Sequence, residues 1–213
     1  MEYEVRFYYS KSELEKIIDR LNSIPELHSN FRIYEKTIQY NHSDTRYDFY
    51  SLDVDGRFRL RISRNELNNK CKLSWKKRLA NTTKDEVNVE EEKEVRINPD
   101  DADNFIYIIE NVMHFTVVES YERYRTIFEN NDIEIAVDEY PFGICLEIEN
   151  KSIDKNPNEI IKYWANKIGL DINNSYRLSW DDKYEELCTE QGIDCYKELT
   201  FDKPMPTIQT KFF

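Results

Sequence analysis

Glu2, Glu4 and Arg6 alternate with Tyr3, Val5 and Phe7. In a strand, that period of two sets two carboxylates and a guanidinium on one face and an apolar set on the other. Hard oxygen donors beside a planar anion-binding group are what a divalent cation and a phosphate require together. Glu147 and Glu149 repeat the acidic half, opposite Leu146 and Ile148. The complementary charge lies on Arg57, Arg59 and Arg61, on Lys70, Lys72, Lys76 and Arg78, and on Arg123 and Arg125, each set in phase along its own segment. Paired carboxylates on two strands can hold Mg2+ or Mn2+ through oxygen, and the facing cations can clamp a chain of phosphates. The chemistry in view is metal-assisted phosphoryl transfer, in which a metal polarises a phosphoryl oxygen or acidifies a bound water and the cations offset charge on the leaving group. The solvated side of an ordinary antiparallel sheet has the same alternation.

These residues need strands to carry them and helices to cover the opposite faces. Strand character runs through residues 2–7, 31–43 and 47–52, and the Asp55-Gly56 dipeptide predicts a turn into the basic strand from Arg57. A second basic strand follows, then a polar loop at Asn81 to Asp85 and an acidic segment with Glu90, Glu92 and Glu94 in phase. Phase alone does not choose which of those three glutamates faces the site. Val117 to Phe128, Ile133 to Asp138 and Cys145 to Glu149 complete the strands, the last after a Pro141-Phe142-Gly143 turn. Helices are expected from a Ser12-x-x-Glu15 capping box to Pro25, from Asn98-Pro99 to His114, from Asn156-Pro157 to Gly169, and from Ser179 to Gly192. The tail from Cys195 is expected to be partly irregular.

The chain has 213 residues, 39% hydrophobic and 14% aromatic, which suits a single domain over 1–213 with a substantial core. No run of apolar residues is long enough for a membrane span, and the acidic start is unlike a signal peptide, so a cytoplasmic protein without a membrane partner is expected. Four cysteines without a CxxC pair and three scattered histidines argue against zinc. A net charge of -12 argues against DNA binding over the outer surface but leaves room for a concave basic pocket. With only four glycines and no phosphate-loop pattern, side chains must hold any polyphosphate.

The amphipathic helices would cover the apolar faces, and a sheet curved until it closes on itself would gather the charged faces in a polar lumen. Such an interior must be self-neutralising, because buried charges without partners are prohibitive. An α+β fold follows, an antiparallel β-barrel with a charged lumen and helices packed outside.

In order and spacing, Glu2-x-Glu4-x-Arg6, Arg57 to Arg61, Lys76-Lys77-Arg78, Glu90 to Glu94, Tyr121-Glu122-Arg123-Tyr124-Arg125 and Asp138-x4-Gly143-x3-Glu147-Ile148-Glu149 resemble the CYTH domain of the triphosphate tunnel metalloenzyme superfamily. The likeness runs from residue 2 to about residue 187. It implies an eight-stranded antiparallel tunnel that binds a triphosphate with Mg2+ or Mn2+. Glu2, Glu4, Asp138, Glu147 and Glu149 would then be the metal-binding acids, and Arg59, Arg61, Lys76, Arg78, Arg123 and Arg125 the phosphate clamp. Glu2, Glu4 and Arg6 would stand at the catalytic centre. The family's opening motif usually ends in lysine where this chain has Arg6, and arginine cannot lose its proton to act as a base.

The function implied is a metal-dependent phosphohydrolase acting on inorganic triphosphate or a small organic or nucleoside triphosphate. Alternatives are a class IV-type adenylate cyclase, an RNA 5'-triphosphatase like those of some large DNA viruses, and a module that binds polyphosphate without turnover.

Overall fold

The computed structural model describes residues 2–51, 53–65, 69–79 and 88–212. The chain runs β1 (Glu2–Tyr9), α1 (Leu14–Asn22), β2 (His28–Ser29), β3 (Ile33–His42), β4 (Gly56–Arg64), β5 (Asn69–Arg78), β6 (Asn88–Ile97), α2 (Ala102–Tyr107), β7 (Phe115–Glu129), β8 (Ile133–Tyr140), β9 (Gly143–Asn150), α3 (Pro157–Ile168), α4 (Trp180–Gln191) and β10 (Glu198–Leu199). The strand order β7-β3-β4-β5-β6-β1-β9-β8 closes through a β7–β8 pairing, so eight antiparallel strands form a barrel. The short β2 and β10 add to the outer run of β7, β10 in parallel. Among the described residues no helix is long and apolar enough to cross a membrane.

Closure follows from the alternation. Tyr3, Val5 and Phe7 of β1, Ile133, Ile135 and Val137 of β8, and Ile144, Leu146 and Ile148 of β9 point outward into one core, which α1 and α3 cover. Ile17 and Leu21 of α1, four apart, are fully buried there, and each fully buried side chain of this kind contributes roughly 1.5–3 kcal/mol. Asn156 caps α3 by accepting from the Asn158 and Glu159 amides, and Gly169 ends it at φ 103°. A second outer core joins Tyr40, Leu60 and Cys71 to Ala102 of α2 and to Ile109 in the π-helical turn that extends it. Gly56 opens β4 where a side chain would not fit, since a Cβ there would lie 2.3 Å from the Trp75 ring.

Two local expectations differ from the structure. Residues 47–51 are not a strand: Asn41 Oδ1 accepts from the Phe49 and Tyr50 amides and Asp48 Oδ1 also accepts from Tyr50, so side chains take the groups a ladder would use. Before α1, Ser10 rather than Ser12 is the cap, of a 3-10 turn at Lys11–Glu13. The loop expected at Asn81 to Asp85, with Leu52, Val87 and the side chains of Arg78 and Val89, lies outside the described residues.

Candidate active site

Glu2 and Arg6 of β1 and the phased charges of its neighbours meet in one cavity of about 640 Å3 inside the barrel, while Glu4 is fully buried beside Arg6 and absent from the lining. Register brings them together: Arg6 sits opposite Glu147 and Glu4 opposite Glu149 on β9, Glu2 opposite Glu90 on β6, and Lys76 opposite Glu92. Glu2, Arg6, Arg59, Arg61, Lys76, Arg123, Arg125, Glu147 and Glu149 all line it. Glu90, Glu92 and Glu94, among which phase could not choose, line it as well. Although the chain is strongly acidic, the described lining holds more cationic side chains than carboxylates. That is the sign an anion site needs.

Arg6 binds the Glu4 carboxylate through Nη2 and Glu147 Oε2 through Nε at 3.1 Å. Burial pushes Glu147 upward, but Arg6 and Arg125 outweigh it and hold the carboxyl well below its usual range. Glu4 goes the other way: burial dominates the pull of Arg6 and raises it well above the usual range, helped by Glu147 and Glu90. Its Oε2 is buried without a hydrogen-bond partner. Glu149 is pushed up to about 8 by burial and then by Glu2. Lys76 Nζ reaches Glu2 Oε2 at 2.5 Å and Glu92 Oε1 at 3.4 Å. Burial lowers the lysine, but Glu4 and Glu2 overcome this and raise it, so it stays charged. Neither Arg6 nor Lys76 is therefore a proton acceptor.

The opposite wall is a preformed clamp. Arg123 donates to Glu35 Oε2 from Nε at 2.8 Å and from Nη2 at 2.6 Å, and from Nη1 to Asp138 Oδ2 at 2.7 Å. Arg125 takes both oxygens of Asp138 at 2.6 Å. Asp138 is fully buried behind these two arginines and is absent from the cavity lining. It orients the clamp, and its oxygens are already engaged.

Glu35 escaped the sequence reading. It ties Arg123 to Ser63 Oγ, 2.8 Å away, and lies 3.7 Å from Arg61. Its signal was the phase of Glu35, Thr37 and Gln39 on β3, masked by two uncharged members. Arg59 differs from its neighbours. It is 7% exposed and its Nε has no partner, and among the described residues no ion pair joins it to a carboxylate.

The acidic wall carries oxygen donors of the kind a divalent cation takes. Glu2, Glu4, Glu147 and Glu149 offer oxygen donors from adjacent strands, and the unpartnered Glu4 Oε2 is such a donor already desolvated. Among the described residues no three acidic, histidine or cysteine side chains form a ready-made cage. A cation on Glu4 and Glu147 competes with Arg6 for them.

One end of the cavity is covered by Trp180 at the start of α4, buried with Tyr8, Tyr121 and Tyr140. Arg57 Nη2 donates to Ser179 Oγ at 3.0 Å across that seam. The other end opens between exposed Lys70, Glu94 and Arg96. At the covered end the Tyr50 hydroxyl reaches both Glu119 (3.1 Å) and Asp181 (3.2 Å). Burial first, and Asp181 next, push Glu119 up to about 8. A raised folded-state pKa means the native state holds this proton more tightly than the unfolded chain. Its contribution is present at low pH and lost as pH rises through about 8. Urea denaturation at pH 5 to 9 should show stability falling toward pH 8, with Glu119→Gln flattening the decline; an unchanged slope in the variant would assign it elsewhere.

No family model matches the sequence, and no curated protein matches it. Solved structures do. PH1819 from Pyrococcus horikoshii superposes with a TM-score of 0.66 at 22% identity, over 87% of this chain and 99% of that one. What the two share is the fold, here a closed eight-stranded antiparallel barrel with helices outside. A Vibrio parahaemolyticus protein described provisionally as an adenylate cyclase matches the tunnel with a TM-score of 0.61 at 16% identity, over 84% of this chain and 96% of that one. HpAC1 from Hippeastrum, a provisional adenylyl cyclase with a dominant triphosphatase activity, matches with a TM-score of 0.57 at 17% identity, over 94% of this chain and all of that one. At these identities the likeness is one of fold, and the chemistry must be argued from the residues.

Proposed function

We propose that the chain is a CYTH-type, metal-dependent triphosphatase that cleaves a phosphoanhydride bond of inorganic triphosphate or of a small organic or nucleoside triphosphate inside the tunnel. The observation that carries this reading is Arg59: a buried guanidinium that, among the described residues, no ion pair joins to a carboxylate, lining one lumen with Arg61, Arg123 and the acidic wall. An unpaired buried cation is costly, and a bound anion relieves that cost.

Arg59 and Arg61 bind phosphate oxygens, while Arg123 and Arg125, held rigid by Glu35 and Asp138, present their remaining N–H groups to the same chain of phosphates. As the anhydride bond breaks, these guanidiniums offset the charge gathering on the leaving phosphate. Glu2, Glu4, Glu147 and Glu149 would hold Mg2+ or Mn2+. When bound, the cation polarises the phosphoryl group and acidifies water. Arg6 keeps Glu147 ionised and does not serve as a base.

Incubation with tripolyphosphate, ATP, thiamine triphosphate and triphosphorylated RNA, with Mg2+ or Mn2+, separates the possibilities through phosphate, pyrophosphate and cyclic AMP. Phosphate release from a small triphosphate supports the proposal; cyclic AMP, or release from RNA alone, replaces it with a cyclase or an RNA-end enzyme; binding without product replaces it with a binding module. Glu4→Gln keeps the side-chain shape and should lower metal-dependent turnover on the order of a hundredfold with an unchanged circular dichroism spectrum. Undiminished turnover would remove Glu4 from the metal site.

A further inference from the structure

Tyr121 lies at the inner end of the clamp, and the roles above do not use it. Its backbone is held on both sides, by Thr37 of β3 and Leu199 of β10, and its ring packs against Trp180 (centroids 4.2 Å apart) and Tyr140 (5.6 Å). The side chain lines the lumen and is 1% exposed. Arg61 Nη2 lies 3.4 Å from its hydroxyl, and the same arginine's Nε is 3.1 Å from Thr37 Oγ1. Arg61 of β4 is the cation in reach of the hydroxyl; Arg123 of β7, Arg59 of β4 and the Thr37 hydroxyl of β3 act on it electrostatically, and Tyr140 of β8 and Trp180 of α4 pack on its ring.

This environment is unusual for a phenol. Arg59 has no carboxylate partner among the described residues; burial works against its charge, and Tyr121, ahead of Glu90 and Glu92, works in favour. Reciprocally, burial pushes Tyr121 upward, but Arg61, Arg123 and Arg59 together bring it down to about 7. The other tyrosines with displaced values, Tyr8, Tyr34, Tyr40, Tyr50 and Tyr140 among them, move upward. The phenol oxygen accepts from Arg61 in a corner of the lumen that Arg59 and Arg123 also line.

We propose that Tyr121 is a phosphate-binding residue whose ionised oxygen balances the arginine corner of the ligand-free tunnel and, when triphosphate arrives, takes up a proton and donates a hydrogen bond to a phosphate oxygen. This rests on the triphosphate reading of the same lumen. The step is a protonation alone: one proton from solvent joins the phenolate oxygen, and no bond of the ligand changes. Its consequence is that pH tunes affinity through a group outside the metal site.

The test uses the full chain, tripolyphosphate without metal, and three variants. In the ligand-free protein, tyrosinate absorbance near 295 nm should show one phenol ionising near neutral pH, lost in Tyr121→Phe, shifted upward in Thr37→Val and retained in Tyr140→Phe. By calorimetry in buffers of different ionisation enthalpy at pH 8, wild type should take up roughly one more proton on binding than Tyr121→Phe, and the excess should vanish at pH 6. Affinity should cross over: Tyr121→Phe binds roughly tenfold more weakly at pH 6, where it lacks the donor, and matches or exceeds wild type at pH 9. A near-neutral tyrosinate without tripolyphosphate binding would overturn the triphosphate reading and the proposal with it. Binding with equal proton uptake in wild type and Tyr121→Phe, or with no near-neutral tyrosinate in wild type, would overturn the Tyr121 assignment alone.

Discussion

Replacing Arg123 with methionine should cost the fold roughly 3–5 kcal/mol, the largest stability loss of any single change in the lumen. The guanidinium is 2% exposed and joins two carboxylates, Glu35 and Asp138, that are themselves buried. Methionine fills most of its volume, so the loss comes from the charges left behind rather than from a cavity. Asp138 keeps Arg125, but Glu35 falls back on Ser63 and on Arg61 at 3.7 Å. Burial already pushes Glu35 upward and is overcome first by Arg123, so without that arginine part of the cost can be met by protonation. Urea denaturation at pH 7 measures the difference, and a loss below about 1 kcal/mol would mean the ion-pair network is a minor contributor.

Arg59→Met should do the reverse. Here, among the described residues, no ion-paired carboxylate is orphaned and the interaction lost is chiefly that with Tyr121, so the stability change should be far smaller than in Arg123→Met. Tripolyphosphate affinity should fall by roughly 10- to 100-fold, the value of a hydrogen bond between charged groups, about 1.5–3 kcal/mol. Isothermal calorimetry and a thermal melt on the same sample separate the two quantities. Two neighbouring arginines on one lumen wall would then divide the work, with Arg123 building the wall and Arg59 reading the ligand. A destabilised Arg59→Met with full affinity would invert that assignment.

The charged and apolar faces were legible because the charges keep the strand period on β1, β4 and β9, each with an apolar run behind it that a helix must cover; closure into eight strands rested on the family resemblance, since a flat sheet has the same alternation. Glu35 was harder to find, since Thr37 and Gln39 are uncharged and the phase of β3 shows only beside Arg123. Asp138 was legible as a charge in phase with its strand, but its place behind the lumen wall was not. Only the register that sets it opposite Arg125, with Arg123 in reach, shows its two oxygens already engaged. The covering of one end by Trp180 could not be read from sequence, because Trp180 and Tyr121 are distant in the chain and meet through α4 packing. The segment at 47–51 misled because Tyr47, Phe49 and Tyr50 have strand-like side chains, while Asn41 and Asp48 capture the local amides.

The most direct measurement is a crystal structure with a non-hydrolysable triphosphate analogue and Mn2+, using the anomalous signal to locate the metal. The account predicts phosphate oxygens within hydrogen-bond distance of Arg59, Arg61 and Arg125, and Mn2+ on carboxylates of the β1–β9 wall. An analogue bound outside the lumen, or a lumen without it at saturating concentration, would contradict the account.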